Sequence, residues 1–300
     1  MTNRISRHIA VVAGVVATAV LAVLIAVPLA GHATASGASC PRRIVSISPT
    51  ATESLFAIGA ARQVVAVDSQ SNYPSTAPRK SGLIAYSPSG TAIYSGYRPD
   101  LVVVSYDANH VIEELRAVHV RVLYQPTAAN LRIAYQQIRN LGIVTCHRAQ
   151  AARVVHTMQA KLVGVRHALG TRARGLLTYV EISAPPSLYA ASSRSFVGQL
   201  FGTLGMRNIS SDPSGFPALN QEQVIAASPQ LIFLTDHLAK DGGVTAHTVA
   251  TRPGWGSIRA VAAHAIYPLN DDAASRWGPR ITVVLQEIAH DVLVYRAHHR

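Results

Sequence analysis

Residues 149–169 read AQAARVVHTMQAKLVGVRHAL, and the organisation of the whole chain turns on that stretch. Within it Val155, Met158, Leu162, Val165 and Leu169 recur at alternating spacings of three and four, which lays one apolar stripe along a helix. Gly170 and the basic Arg172 and Arg174 mark its end. It is expected to be one long helix, buried on one side only.

Working outward in the N-terminal direction, short apolar runs alternate with helix-like segments. Ile44–Ile47, Val64–Val67, Leu101–Ser105 and Val120–Tyr124 read as strands. Leu101-Val-Val-Val104 has no polar alternation, the pattern of a strand covered on both faces. Between these runs lie helices over 54–58, 110–118 and 131–141. Thr50 and Glu53 have the spacing of a capping box for the first of them, and Gly59 and Gly142 are placed as stops. In the other direction a second βα series begins. Strands are expected at 176–181, 231–235 and 265–269, with helices at 196–204, 222–227 and from Pro279 onward. Alternation of strand and ten-residue helix specifies a parallel α/β sheet. The fold class is therefore α/β, with two Rossmann-like lobes joined by a single long helix and a cleft between them. The expected boundaries are 41–147 for the first lobe, 148–170 for the connecting helix and 171–300 for the second lobe.

Residues 1–40 differ from the rest. Arg4 and Arg7 precede an uncharged run from Ile9 to Ala30, and Ala33-Thr34-Ala35 offers a small-x-small cleavage site. The segment reads as a secretory signal or as an uncleaved membrane anchor, since the run is long enough for a ~30 Å bilayer. Either reading makes the remainder extracytoplasmic. Cys40 and Cys146 are the two cysteines. Cys40, after Gly37-Ala38-Ser39, suits lipidation; a disulfide to Cys146 is the competing reading in an oxidising compartment.

The chain carries 27 Lys+Arg against 15 Asp+Glu, a formal charge of +12. The arginines are scattered singly, with no basic block and no interleaved aromatic stripe, so nucleic acid is not an expected partner. No nucleophile elbow, phosphate-binding glycine loop or zinc-ligand spacing occurs among the motifs, so neither an enzyme nor a metal site is expected. Asp271 and Asp272 form an adjacent acid pair after the last strand. They read either as a loop ion pair with Arg276 or as a ligand-facing loop.

Six segments in order resemble the iron-chelate and vitamin B12 (class III, helical-backbone) periplasmic substrate-binding proteins of ABC importers. They are Arg43–Thr50 with Glu53–Gly59, Val64–Asp68 with Tyr73-Pro74, Tyr97–Val104, Glu222–Ile232, Arg252-Pro-Gly-Trp255 and Ser275–Ile281. The resemblance covers about residues 42–296. It implies an extracytoplasmic carrier that binds a metal chelate (corrinoid, ferric siderophore or haem) between its lobes. It implies no resident cofactor, partnership with an ABC permease and its cytoplasmic ATPase, and action as a monomer. By position it assigns Pro49, Thr50, Tyr86, Phe216, Trp255, Asp271, Asp272, Arg276 and Trp277 to ligand binding. Core packing is the competing reading for Tyr86 and Phe216. It assigns Glu222 to docking on the permease, while Thr91 stands where the family has its other docking acid. That departure keeps a transport-inactive receptor or scaffold on the same fold as the alternative, with an exported hydrolase behind it.

Overall fold

The computed structural model describes residues 39–186, 188–237 and 243–299. The expected signal or anchor segment, Ile9–Ala30 with Ala33–Ala35, lies outside the described residues. Among the described residues no helix is long and apolar enough to cross a membrane.

The first half runs β1 (Ile44–Ile47), α1 (Pro49–Ala57), β2 (Val64–Asp68), β3 (Ser81–Leu83), α2 (Gly90–Tyr97), β4 (Leu101–Val104), α3 (Val111–Ala117), β5 (Val122–Tyr124) and α4 (Leu131–Val144). Its five strands are all parallel, in the order β3-β2-β1-β4-β5. The apolar runs of β1 and β4 are fully covered, as an unalternating pattern requires. The order reverses between β1 and β4, and such a switch point opens a crevice at the carboxyl ends of the strands.

Helix α5 (Arg148–Leu169) follows. Its stripe packs inward: Ala151, Val155, Met158, Val165 and Leu169 are buried, and Leu162 is partly covered. It leads to β6 (Leu177–Ser183), β7 (Tyr189–Ala190), α6 (Phe196–Thr203), β8 (Arg207–Asn208), α7 (Gln221–Ala227), β9 (Leu231–Leu234), α8 (Ala246–Ala250), α9 (Arg259–Ala262), β10 (Ile266–Pro268), α10 (Asp271–Ala274) and α11 (Ile281–His298). The second sheet has the order β10-β9-β6-β7, with β8 also on β6; β7 alone is antiparallel. Two α/β lobes bridged by one helix is thus the observed architecture.

Two local expectations fail for physical reasons. Thr50 is not the cap of α1: Ser48 is, accepting from the Ala51 amide, and Pro49 opens the helix. Glu53 is freed from a capping box for another task. Gly142 does not stop α4, which continues to Val144. A Cβ there would lie 2.3 Å from the Ala151 Cβ, so the glycine is needed where α4 meets α5. Gly59 does close α1, at φ +88°.

Cys40 and Cys146 form a disulfide with Cα atoms 5.7 Å apart. The sulfur of Cys40 is thereby committed, and a lipid thioether on the same atom would require the bridge to be absent. The closed loop spans 106 residues, and cross-linking a loop of that size restricts the unfolded chain. Reduction, or the double replacement Cys40→Ser and Cys146→Ser, is expected to lower unfolding free energy by about 2–5 kcal/mol. Urea unfolding with and without reductant checks this.

Candidate functional site

Two adjoining cavities open between the lobes. The larger, about 380 Å³, is walled by the segments that leave the strands of the first sheet. Pro49 and Thr50 follow β1, Asp68 ends β2, Tyr86 follows β3 and Tyr106 follows β4. The opposite wall is Asp272, Ser275, Arg276 and Trp277. The smaller cavity, about 230 Å³, lies against the second sheet and is lined by Ile182, Phe196, Phe216, Thr235 and Trp277, among others. Ser275 and Trp277 border both. Carboxyl ends of both sheets therefore face one cleft, the position at which open α/β sheets bind ligands.

The cleft is aromatic and wet. Tyr86 is 78% exposed, Tyr106 74% and Phe216 48%. Large rings held this far out of the core rule out core packing for Tyr86 and Phe216. Trp277 is half-buried, donates from Nε1 to the Gln137 Oε1 at 2.7 Å and meets Phe196 edge-on at 6.4 Å. It is the fixed aromatic wall of the cleft, because its polar tip and one edge are already held.

Arg276 is buried and fully engaged at its two terminal nitrogens. Nη1 donates to Glu53 Oε1 and Asn72 Oδ1, both at 2.8 Å; Nη2 donates to the Gln70 carbonyl and Asp272 Oδ1, both at 2.9 Å. Arg280 donates to the same Glu53 oxygen and lies 4.2 Å over the Tyr73 ring. Asn72 donates to the other Asp272 oxygen at 2.7 Å. Glu53, Gln70, Asn72 and Tyr73 belong to the first lobe; Asp272, Arg276 and Arg280 to the second. The network is an inter-lobe clamp. Burial raises the carboxyl of Asp68 above the ordinary aspartate value, although Gln70 and Ser71 donate to it.

Two expected site residues lie elsewhere. Trp255 is completely buried in the second lobe. Its Nε1 donates to Gln221, Tyr179 meets its edge at 6.0 Å, and Arg252 sits 4.6 Å over its face. Arg252 in turn makes a two-pronged pair with buried Glu181 at 2.6 and 2.7 Å. The Arg-Pro-Gly-Trp motif staples a core and lines neither cleft cavity. Asp271 pairs with His237 Nδ1 at 2.7 Å; of these two adjacent acids Asp272 is the one that lines the larger cavity.

Asp68, Tyr106, Asn72 and Glu53 were absent from the expected set. Asp68 and Tyr106 were available from the strand-end rule alone. Glu53 carried the signature of a cap and so was read as local. At the docking positions, Glu222 is exposed in the first turn of α7. Thr91 is exposed in the first turn of α2, and the carboxylate of Glu114 from α3 sits beside it, accepting from the Gly90 amide at 2.6 Å.

The family model for periplasmic binding proteins matches residues 44–273. The chain belongs to that family. An ABC transporter substrate-binding lipoprotein of Bacillus subtilis is 26% identical over 84% of this chain and 80% of its own length. A vitamin B12-binding protein of Pectobacterium carotovorum is 27% identical over 83% of this chain and 87% of its own. In solved structures the same fold occurs in a periplasmic haem-binding protein of Roseiflexus sp. RS-1. Its TM-score is 0.73 at 24% identity, covering 86% of this chain and 99% of that one. The six motifs in register identified the family from sequence, and the two-lobed fold agrees.

Removing the shared carboxylate of the clamp leaves the part-buried Arg280 without its acid and buried Arg276 with Asp272 alone. Glu53→Ala is expected to cost about 3–5 kcal/mol in urea unfolding; a loss below ~1 kcal/mol would show that the clamp contributes little.

At the end of β9, burial and then the charge of Glu181 push the carboxyl of Asp236 up to about 6, from an ordinary 3.8. A folded-state pKa above the unfolded one stabilises the fold at low pH. That contribution is complete below about 3.8 and is lost as pH rises through about 6. Between pH 4 and 7 the protein should therefore lose stability relative to Asp236→Asn, as read by denaturant midpoints at each pH.

Proposed function

We propose that this chain is the extracytoplasmic solute-binding protein of an ABC importer, taking up a metal chelate in the inter-lobe cleft and delivering it to the permease. The observation that carries this reading is the cleft itself. Tyr86 and Tyr106 are held out at strand ends, Phe216 on the loop between β8 and α7, and all three border the cleft with the anchored Trp277. Exposed rings around a cavity suit a large ligand with extended apolar faces, which stacks on them without reorganising the core. A relative named as an ABC transporter substrate-binding lipoprotein supports the carrier role, and one named as vitamin B12-binding supports the solute class. The carrier has no resident cofactor and works by binding and release, with the chelate as cargo.

The disulfide supports export, because such bridges persist in oxidising compartments. The N-terminal run supports the same route, as a cleaved signal or as an anchor. Docking on the permease is assigned to Glu222 and, in the other lobe, to the α2 terminus. There Glu114 places a carboxylate beside Thr91, which favours transport over the transport-inactive alternative.

Titration of the purified protein with chelates is expected to quench Trp277 emission saturably and raise the melting temperature. Tyr86→Ala should weaken binding roughly 5- to 100-fold, the range of one lost stacking partner. If no corrinoid, haem or ferric siderophore alters either signal, the reading fails.

A further inference from the structure

The chain is strongly basic, yet its cleft offers a ligand almost no positive charge. Among the described residues, Arg276 is the one basic side chain that lines either cavity. Its terminal nitrogens already make four hydrogen bonds, and two of the acceptors are the carboxylates of Glu53 and Asp272. Arg280, next along the chain, is spent on the same Glu53 oxygen and on the Tyr73 ring. The described groups that remain open to a ligand are acidic or uncharged. The Asp272 side chain is 43% exposed. Asp68, on the facing wall, is buried and accepts from Gln70 and Ser71, and the smaller cavity is lined by no charged residue among those described.

An anionic ligand would have to desolvate its carboxylates or phenolates here with no free cation among the described residues to receive them, beside the exposed acid of Asp272. Burying a charge without a partner is the costliest way to fill a cavity. A ligand whose fringe is amide or hydroxamate meets no such cost. Its N–H and C=O groups can pair with Asp272, Thr50, Ser275 or Thr235, and its apolar face with Trp277 and Tyr86. We infer that the cleft selects uncharged or cationic chelates with an amide or hydroxamate fringe, and disfavours chelates carrying carboxylate or catecholate. This rests on the chelate-carrier reading above and narrows its solute class. The charge is excluded by the clamp: the arginines that could receive an anion are held by Glu53 and Asp272 to join the lobes.

The test is a binding panel on the purified full chain, read by Trp277 quenching and thermal shift. Cyanocobalamin represents an uncharged corrinoid and ferrioxamine B a cationic hydroxamate. Haemin and a ferric tris-catecholate are the anionic arms. At least one of the first two should bind at least about tenfold more tightly than both anionic probes. Which of them binds tells corrinoid from hydroxamate. Haemin or the catecholate binding within about tenfold of the better of those two, or more tightly, would overturn the charge inference while leaving the carrier reading intact. Binding of none of the four would end the carrier reading itself, and the inference with it. Asp272→Asn gives an independent arm. It removes an acid from the cleft wall and loosens Arg276, so the affinity of haemin relative to cyanocobalamin should rise severalfold. An unchanged ratio would show that these charges do not set the selectivity.

Discussion

A buried carboxylate sits at the centre of the contacts between the two halves of this molecule. Glu53 projects from α1 of the first lobe and accepts from Arg276 and Arg280 of the second, through one oxygen. Three charged side chains taken out of water are costly one by one, and they are stable only because each faces its partners. Asn72, Gln70 and Asp272 complete the hydrogen bonding, so that both strand-end surfaces meet at a defined separation. The connecting helix supplies the span between the lobes. The clamp sets how the cleft is bordered, because Arg276 and Trp277 are neighbours in sequence and the first is pinned.

The same clamp shapes the chemistry of the cleft. A guanidinium beside an aromatic-lined cavity reads at first as an anion receptor. Here its hydrogen bonds are already committed to protein carboxylates and carbonyls, so it acts as a strut. The excess of arginine over acid is carried on the outer surface, for example Arg148, Arg153 and Arg166 along α5, a helix without a single acid. Net charge and site charge are separate properties, and in this chain they differ in sign of availability.

Strand and helix alternation, the apolar stripe of α5 and the unalternating runs of β1, β4 and β9 were all legible, because periodicity reports burial directly. The family resemblance pointed to Tyr86, and with the strand-end rule to Pro49 and Thr50, as cleft residues; the rule applied evenly would have included Asp68 and Tyr106. The misreadings share one cause. Glu53, Gly142, Trp255 and Asp271 were each assigned from a short motif, as a helix signal or a family position, whereas the contacts that decide their roles are made with other elements. Glu53 finds Arg276 across 223 residues and Trp255 finds Gln221 across 34. Gly142 yields space to Ala151 of another helix.

The amino-acid sequence by itself determined the two α/β halves, the long helix between them, the family and the segments that border the cleft. These follow from patterns a few residues wide, since backbone hydrogen bonding and one-sided burial act at that range. Only the tertiary structure decided which charged groups remain open to a ligand. An arginine in a sequence is a cation; whether it is available depends on which carboxylates the fold brings to it, and here Glu53 and Asp272 arrive from opposite lobes and leave the cleft without a free one among the described residues.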